Sequence, residues 1–135
     1  MYFSGMKKEI TIDGTKIFDK TSLYAEINAK FMQDESWQLG ESLDAFDDLL
    51  YGGFGALREN EEADLVWTNF EENKAALGYD FTLGFYAEKL EDPEHFDAAG
   101  IQKKIEQLKA GEGQTYFEII EEIISEHANI NLIKQ

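Results

Sequence analysis

The chain reads as an α/β protein, a small parallel sheet packed by helices. Two observations predict it. Short segments of strand character lie near the start, middle and end of the chain, and helical segments separate them. Ten Phe and two Trp in 135 residues supply the material of one core, so residues 1–135 are read as a single domain.

The elements follow in order. Residues 7–12 end in Ile10-Thr11-Ile12, an alternation that suits a strand, and Asp13-Gly14 marks a turn. Thr21 or Ser22 caps a helix running to about Met32, whose Leu23, Ile27 and Phe31 repeat every four residues on one face. Residues 33–41 form a polar loop containing Trp37 and Gly40. A second helix spans about Leu43 to Tyr51, and Gly52, Gly53 and Gly55 end it. Residues 58–62 are charged and loop-like. Asp64 to Trp67 is a short strand, and a helix follows from Asn69 to Leu77.

In the segment of about 78–111, Phe81, Phe85 and Leu90 predict one helix. Pro93 breaks it, and Ile101, Ile105 and Leu108 predict another. The two form a helical hairpin against the main body. A strong helix from about Thr115 to His127 buries Phe117, Ile120 and Ile124, and residues 129–133 form the last strand.

The net charge of −16 disfavours direct nucleic-acid binding and an anionic membrane surface. It favours a basic partner and would speed the encounter, although a solubility role alone also accounts for it. The absence of Cys excludes disulfides and thiolate chemistry and fits a reducing compartment. No apolar run reaches the ~20 residues that span a bilayer. Residues 1–6 are too short and polar for a signal peptide, and Met6 offers an alternative start. A soluble cytoplasmic protein is expected.

Gly40 to Leu50 is the candidate functional segment. Ser42 suits the N-cap, and Asp44 in the first turn is favoured by the helix dipole. Leu43, Phe46 and Leu50 face the core. Asp44, Asp48 and Tyr51 share the outer face, with Asp47 beside them. Carboxylates four apart repel by ~0.2–0.5 kcal/mol, and a helix selected only for stability would more naturally carry Lys at position 48. A solvated acidic face is an equal alternative. Catalysis would need a cleft that perturbs a pKa, and metal binding would need convergent ligands. The Asp-x-Asp-x-Asp-Gly spacing is absent. Presenting charge to arginines or lysines needs neither. No catalytic residues, metal site or cofactor are therefore assigned. His95 and His127 are read as surface or helix-end residues, and Glu118, Glu121 and Glu122 as a wet helical face.

Gly40-Glu41-Ser42-Leu43-Asp44-Ala45, followed by Asp48-Leu49, resembles the Gly-x-Asn-Leu-Asp-Ala-x-x-x-Asp signature of the barstar family of intracellular ribonuclease inhibitors, with Ser42 in place of Asn. Residues 8–14, 65–70 and 117–133 resemble that family's first strand and turn, second strand, and last helix and strand. The resemblance covers about 7–77 and 112–135 and leaves about 78–111 as a helical insertion.

The resemblance implies a three-stranded parallel sheet and a non-enzymatic inhibitor of a basic ribonuclease or nuclease toxin, an antitoxin or immunity protein. Its acidic helix takes the place of RNA phosphate in the nuclease. Asp48 matches the central aspartate and Asp44 the one a turn earlier. Glu122 and Glu126 match peripheral acidic positions, and Tyr51 and Gly52 match the helix exit. Gln38 and Leu39 stand where aromatic contacts can occur. Asp47 and Gly53 also replace aromatics. Together these departures form a rim that selects the partner. Trp37 either substitutes for the missing aromatics or fills the core, the commoner fate of a lone Trp. The alternative function is an acidic adaptor that binds another basic protein and inhibits no nuclease. A small enzyme using the aspartates is the weakest reading.

Overall fold

Three parallel strands organise the chain in the computed structural model, which describes residues 7–135; the reading of Met6 as a start lies outside them. The order along the chain is β1 (Lys8–Ile12), a 3-10 turn (Gly14–Lys16), α1 (Lys20–Phe31), α2 (Leu43–Tyr51), β2 (Ala63–Trp67), α3 (Phe70–Ala76), α4 (Tyr79–Leu90), α5 (Ala98–Lys109), α6 (Tyr116–Glu126) and β3 (Ile130–Lys134). The sheet order is β1-β2-β3. Ile10 pairs with Leu65 and Leu65 with Leu132, in parallel register. Parallel neighbours cannot be joined by a tight hairpin, so helices must carry the chain back between strands. β2 lies in the middle, and Ala63, Leu65, Val66 and Trp67 are all buried. On β1 only the alternate residues Ile10 and Ile12 are buried, so that edge strand keeps one wet face.

Leu23, Ile27 and Phe31 of α1 are buried as their spacing requires. Its expected cap at Thr21 or Ser22 is corrected to Asp19. The Asp19 side chain accepts from the Ser22 N–H at 2.8 Å, and Ser22 Oγ accepts from the Asp19 N–H at 2.9 Å. Asp19 and Ser22 thus satisfy two helix-end donors reciprocally, placing Ser22 inside the first turn. Glu118 forms the same arrangement with Thr115 at the start of α6 and is not simply a wet surface residue.

Two buried asparagines join distant segments. Asn73 Oδ1 accepts from the Trp67 indole N–H (2.8 Å), while its Nδ2 donates to the Gly14 carbonyl (2.9 Å). Asn28 Oδ1 accepts from the Leu39 N–H at 2.7 Å, and Nδ2 donates to the Tyr24 carbonyl at 3.0 Å. Asn28 therefore fixes the loop that leads into α2.

α4 and α5 form the expected hairpin. Tyr86, Ile101 and Ile105 make a small cluster of their own, with Leu83, Phe85 and Leu90 around it. The joint to the main body is local. Phe81 and Phe85 meet Tyr116 edge-to-face, with ring centroids 5.5 and 4.9 Å apart. Thr82, fully buried, accepts from the Tyr116 N–H (2.8 Å) and donates to the Gly78 carbonyl (2.6 Å).

Candidate functional site

α2 has one face in the core and one in solvent. Ser42 Oγ accepts from the Ala45 N–H at 3.1 Å and caps its start. Phe46, Leu49 and Leu50 are buried, and Leu43 packs half-buried beside them. That stripe sets the rotation of the helix. Asp44, Asp48 and Tyr51 consequently point outward and are exposed. The two carboxylates lie one turn apart on a backbone whose other side cannot turn without exposing the core.

Asp47 differs from its neighbours. It is expected beside Asp44 and Asp48 on the outer face, but its Oδ1 lies 2.6 Å from Nε2 of His127. A carboxylate only accepts, so Nε2 carries the proton. His127 is buried, which corrects its reading as a surface residue, although it does cap the C-terminus of α6. The Tyr51 and His127 rings meet edge-on, with centroids 4.5 Å apart. Asp47 and Tyr51 thus tie α2 to the end of α6.

Gly52 ends α2 with φ +87°, and a Cβ there would lie 2.1 Å from the Arg58 carbonyl oxygen, so no other residue fits. Gly53 is also at positive φ, with open space around it. The loop before α2 is tied to this exit, because Glu35 Oε2 accepts from the Gly55 N–H at 2.7 Å.

Within that loop Gln38 is exposed, whereas Leu39 is 6% exposed and belongs to the core. Leu39 is therefore removed from the expected rim. Trp37 is the opposite case: it does not fill the core but is 47% exposed and packs on Phe54 at 5.2 Å. Phe54 escaped the sequence reading. Its signal is an aromatic within Gly52-Gly53-Phe54-Gly55, a turn with little apolar support nearby.

Glu122 and Glu126 are exposed and four apart on α6. Glu122 accepts from Gln114 Nε2 at 2.6 Å. Glu121 faces elsewhere, within 3.5 Å of Lys74 and 3.3 Å of Lys134, so it is an ion-paired residue and not a wet one.

A cleft of about 480 Å³ has Asp44 on its wall, but Asp48 does not line it. Among the described residues no three His, Asp or Glu side chains converge as a metal site, and no helix is long and apolar enough to cross a membrane.

Sheet, capped helix and outward carboxylates define an α/β protein whose candidate site is an open acidic helical face. A model of the Barstar (barnase inhibitor) family matches residues 7–100. The chain belongs to that family. The match takes in the whole of α2 and runs on through α4 into the start of α5. No curated protein matches the chain.

Proposed function

We propose that the protein inhibits a ribonuclease or nuclease toxin, as an antitoxin or immunity protein, by laying α2 into the nuclease active site. The observation that carries this reading is the pair Asp44 and Asp48, exposed one turn apart on a helix held by its buried face. Two carboxylates at that spacing can occupy positions that RNA phosphates take, accepting charge-assisted and bidentate bonds from arginines. Asp48 sits at the centre. Asp44, Tyr51 and Gly52 flank it along the helix and its exit, and Glu122 and Glu126 extend the negative surface on α6. Gln38 and the Trp37–Phe54 pair supply the rim on the loop side. Asp47 acts from behind by holding α2 against His127. The net charge of −16 steers a basic nuclease in. The cytoplasm of the cell that makes the nuclease is where such protection is needed.

The test mixes the protein with a panel of small basic ribonucleases, barnase among them, and measures RNA cleavage. Cleavage stops at equimolar protein for the matched nuclease. Asp48→Ala weakens that complex by about 3–5 kcal/mol, the general cost of leaving one partner of a buried ion pair alone. Asp44→Ala costs less. Association slows as salt shortens the screening length to about 8 Å at physiological ionic strength. Uninhibited cleavage across the panel at saturating protein counts against the inhibitor reading, and equal affinity of Asp48→Ala removes that residue from the mechanism.

A further inference from the structure

The cleft that borders Asp44 concentrates positive charge in a strongly acidic chain. Lys20 reaches it from the start of α1, Lys89 from α4 and Lys104 from α5. Among the described residues none of the three has a carboxylate within ion-pair distance, as is also true of Lys16, Lys103 and Lys109, while Lys7, Lys8, Lys30, Lys74 and Lys134 are paired. Aromatic faces hold them instead. Lys89 Nζ stands 4.4 Å from the Phe85 ring centroid and 5.1 Å from that of Phe96, and Lys104 lies 5.9 Å from Tyr86. Burial lowers the Lys89 pKa, and the charges of Lys104 and Lys20 lower it further. An anion between the three would relieve that repulsion.

The start of α2 lines the same cleft with Glu41, Ser42 and Asp44. An adjoining hollow shares Lys20, Lys89, Phe85 and Phe96 and adds Glu88, Glu91 and Asp92. Of these, Asp92 is engaged by His95 at 2.8 Å. Acceptor-only carboxylates facing lysines repel a bare anion but attract N–H donors. The occupant that satisfies both sets of groups carries an anion for the lysines and N–H donors for the carboxylates of α2. Phe96, 39% exposed, lines the same cleft and offers a ring face beside Lys89. The volume of about 480 Å³ falls in the ~300–1,000 Å³ range of small-molecule sites. A polynucleotide is disfavoured, because every further phosphate meets the net negative charge of the chain.

We propose that this cleft binds a mononucleotide, its phosphate held by Lys20, Lys89 and Lys104, its base on Phe96 and its amino or imino donors turned to Glu41 and Asp44. The site shares Asp44 with the proposed inhibitory face, but its occupancy does not rest on that reading and needs no nuclease.

The test titrates guanosine monophosphate, adenosine monophosphate and inorganic phosphate separately into the 15N-labelled full chain and follows amide shifts. At least one nucleotide gives saturable shifts at residues 41–44, 85–89, 96 and 104, and inorganic phosphate binds about tenfold or more weakly. Lys89→Gln and Lys104→Gln each weaken nucleotide binding about tenfold, as expected for loss of one charge-assisted bond. Lys109→Gln, outside the cleft, leaves it unchanged. Circular dichroism checks that each variant folds, and Lys104, being exposed, keeps the test open if Lys89→Gln does not. Absence of saturable shifts, undiminished binding by Lys104→Gln, or equal affinity for inorganic phosphate overturns the proposal.

Discussion

α2 and the α4–α5 hairpin meet across one cleft and hold their charges by different means. The nine residues of α2 bury Phe46, Leu49 and Leu50 in the main core, so its aspartates are placed by the packing of the whole molecule. The hairpin has a separate cluster around Tyr86, Ile101 and Ile105 and meets the body mainly through α4, at Thr82, Phe81 and Phe85 against Tyr116. Its lysines are placed by ring faces. A charge positioned by the main core moves only if the fold is lost. A charge positioned by a peripheral cluster can move when one joint loosens.

The largest test of this contrast is Phe46→Ala. It removes about 3–5 kcal/mol of global stability in urea denaturation. A loss below about 1 kcal/mol would mean that α2 is not anchored as its burial implies. Thr82→Val strikes the hairpin joint instead. It leaves the Tyr116 N–H without its acceptor and costs about 1–3 kcal/mol. Hydrogen exchange then quickens in residues 79–109 while the amides of α2 keep their relative protection. Equal quickening in both would erase the distinction. Ser42→Ala removes the cap of α2 and costs about 1 kcal/mol. It also frays the turn bearing Asp44 more than the turn bearing Asp48, readable as amide exchange along the helix.

The smallest effect appears only in alkali. The Tyr24 and Tyr116 hydroxyls lie 2.7 Å apart in the core. Burial is the main cause that raises both pKa values. A raised folded pKa means that the native state keeps protons the unfolded chain releases. The contribution to stability is therefore complete below the unfolded value near 10 and is lost as pH rises beyond it. Denaturation midpoints fall above about pH 10, and Tyr24→Phe shallows that fall. A midpoint that stays flat up to pH 11 would contradict the burial of this pair.

Much of the fold is legible in the chain because helices and strands repeat over short distances. Leu23, Ile27 and Phe31 predict the buried face of α1, and Phe117, Ile120 and Ile124 that of α6. Ser42 predicts the start of α2 from its hydroxyl alone. The α1 cap is a near miss of the same local kind. Thr21 and Ser22 are good cap residues, but the pairing of Asp19 with Ser22 satisfies two backbone donors where either alone satisfies one. The loop before α2 is less legible. Leu39 is buried and Trp37 exposed because Asn28, on α1, draws the Leu39 backbone inward.

By itself the sequence determined which residues share a helical face, including the outward pair Asp44 and Asp48, since turn geometry depends only on neighbours three and four positions away. Tertiary structure alone decided that Asp47 is engaged by His127, eighty positions away in sequence, and that Lys20, Lys89 and Lys104 converge beside Asp44. The physical reason is that such meetings depend on how whole elements pack, and no local spacing encodes the distance between side chains on separate helices.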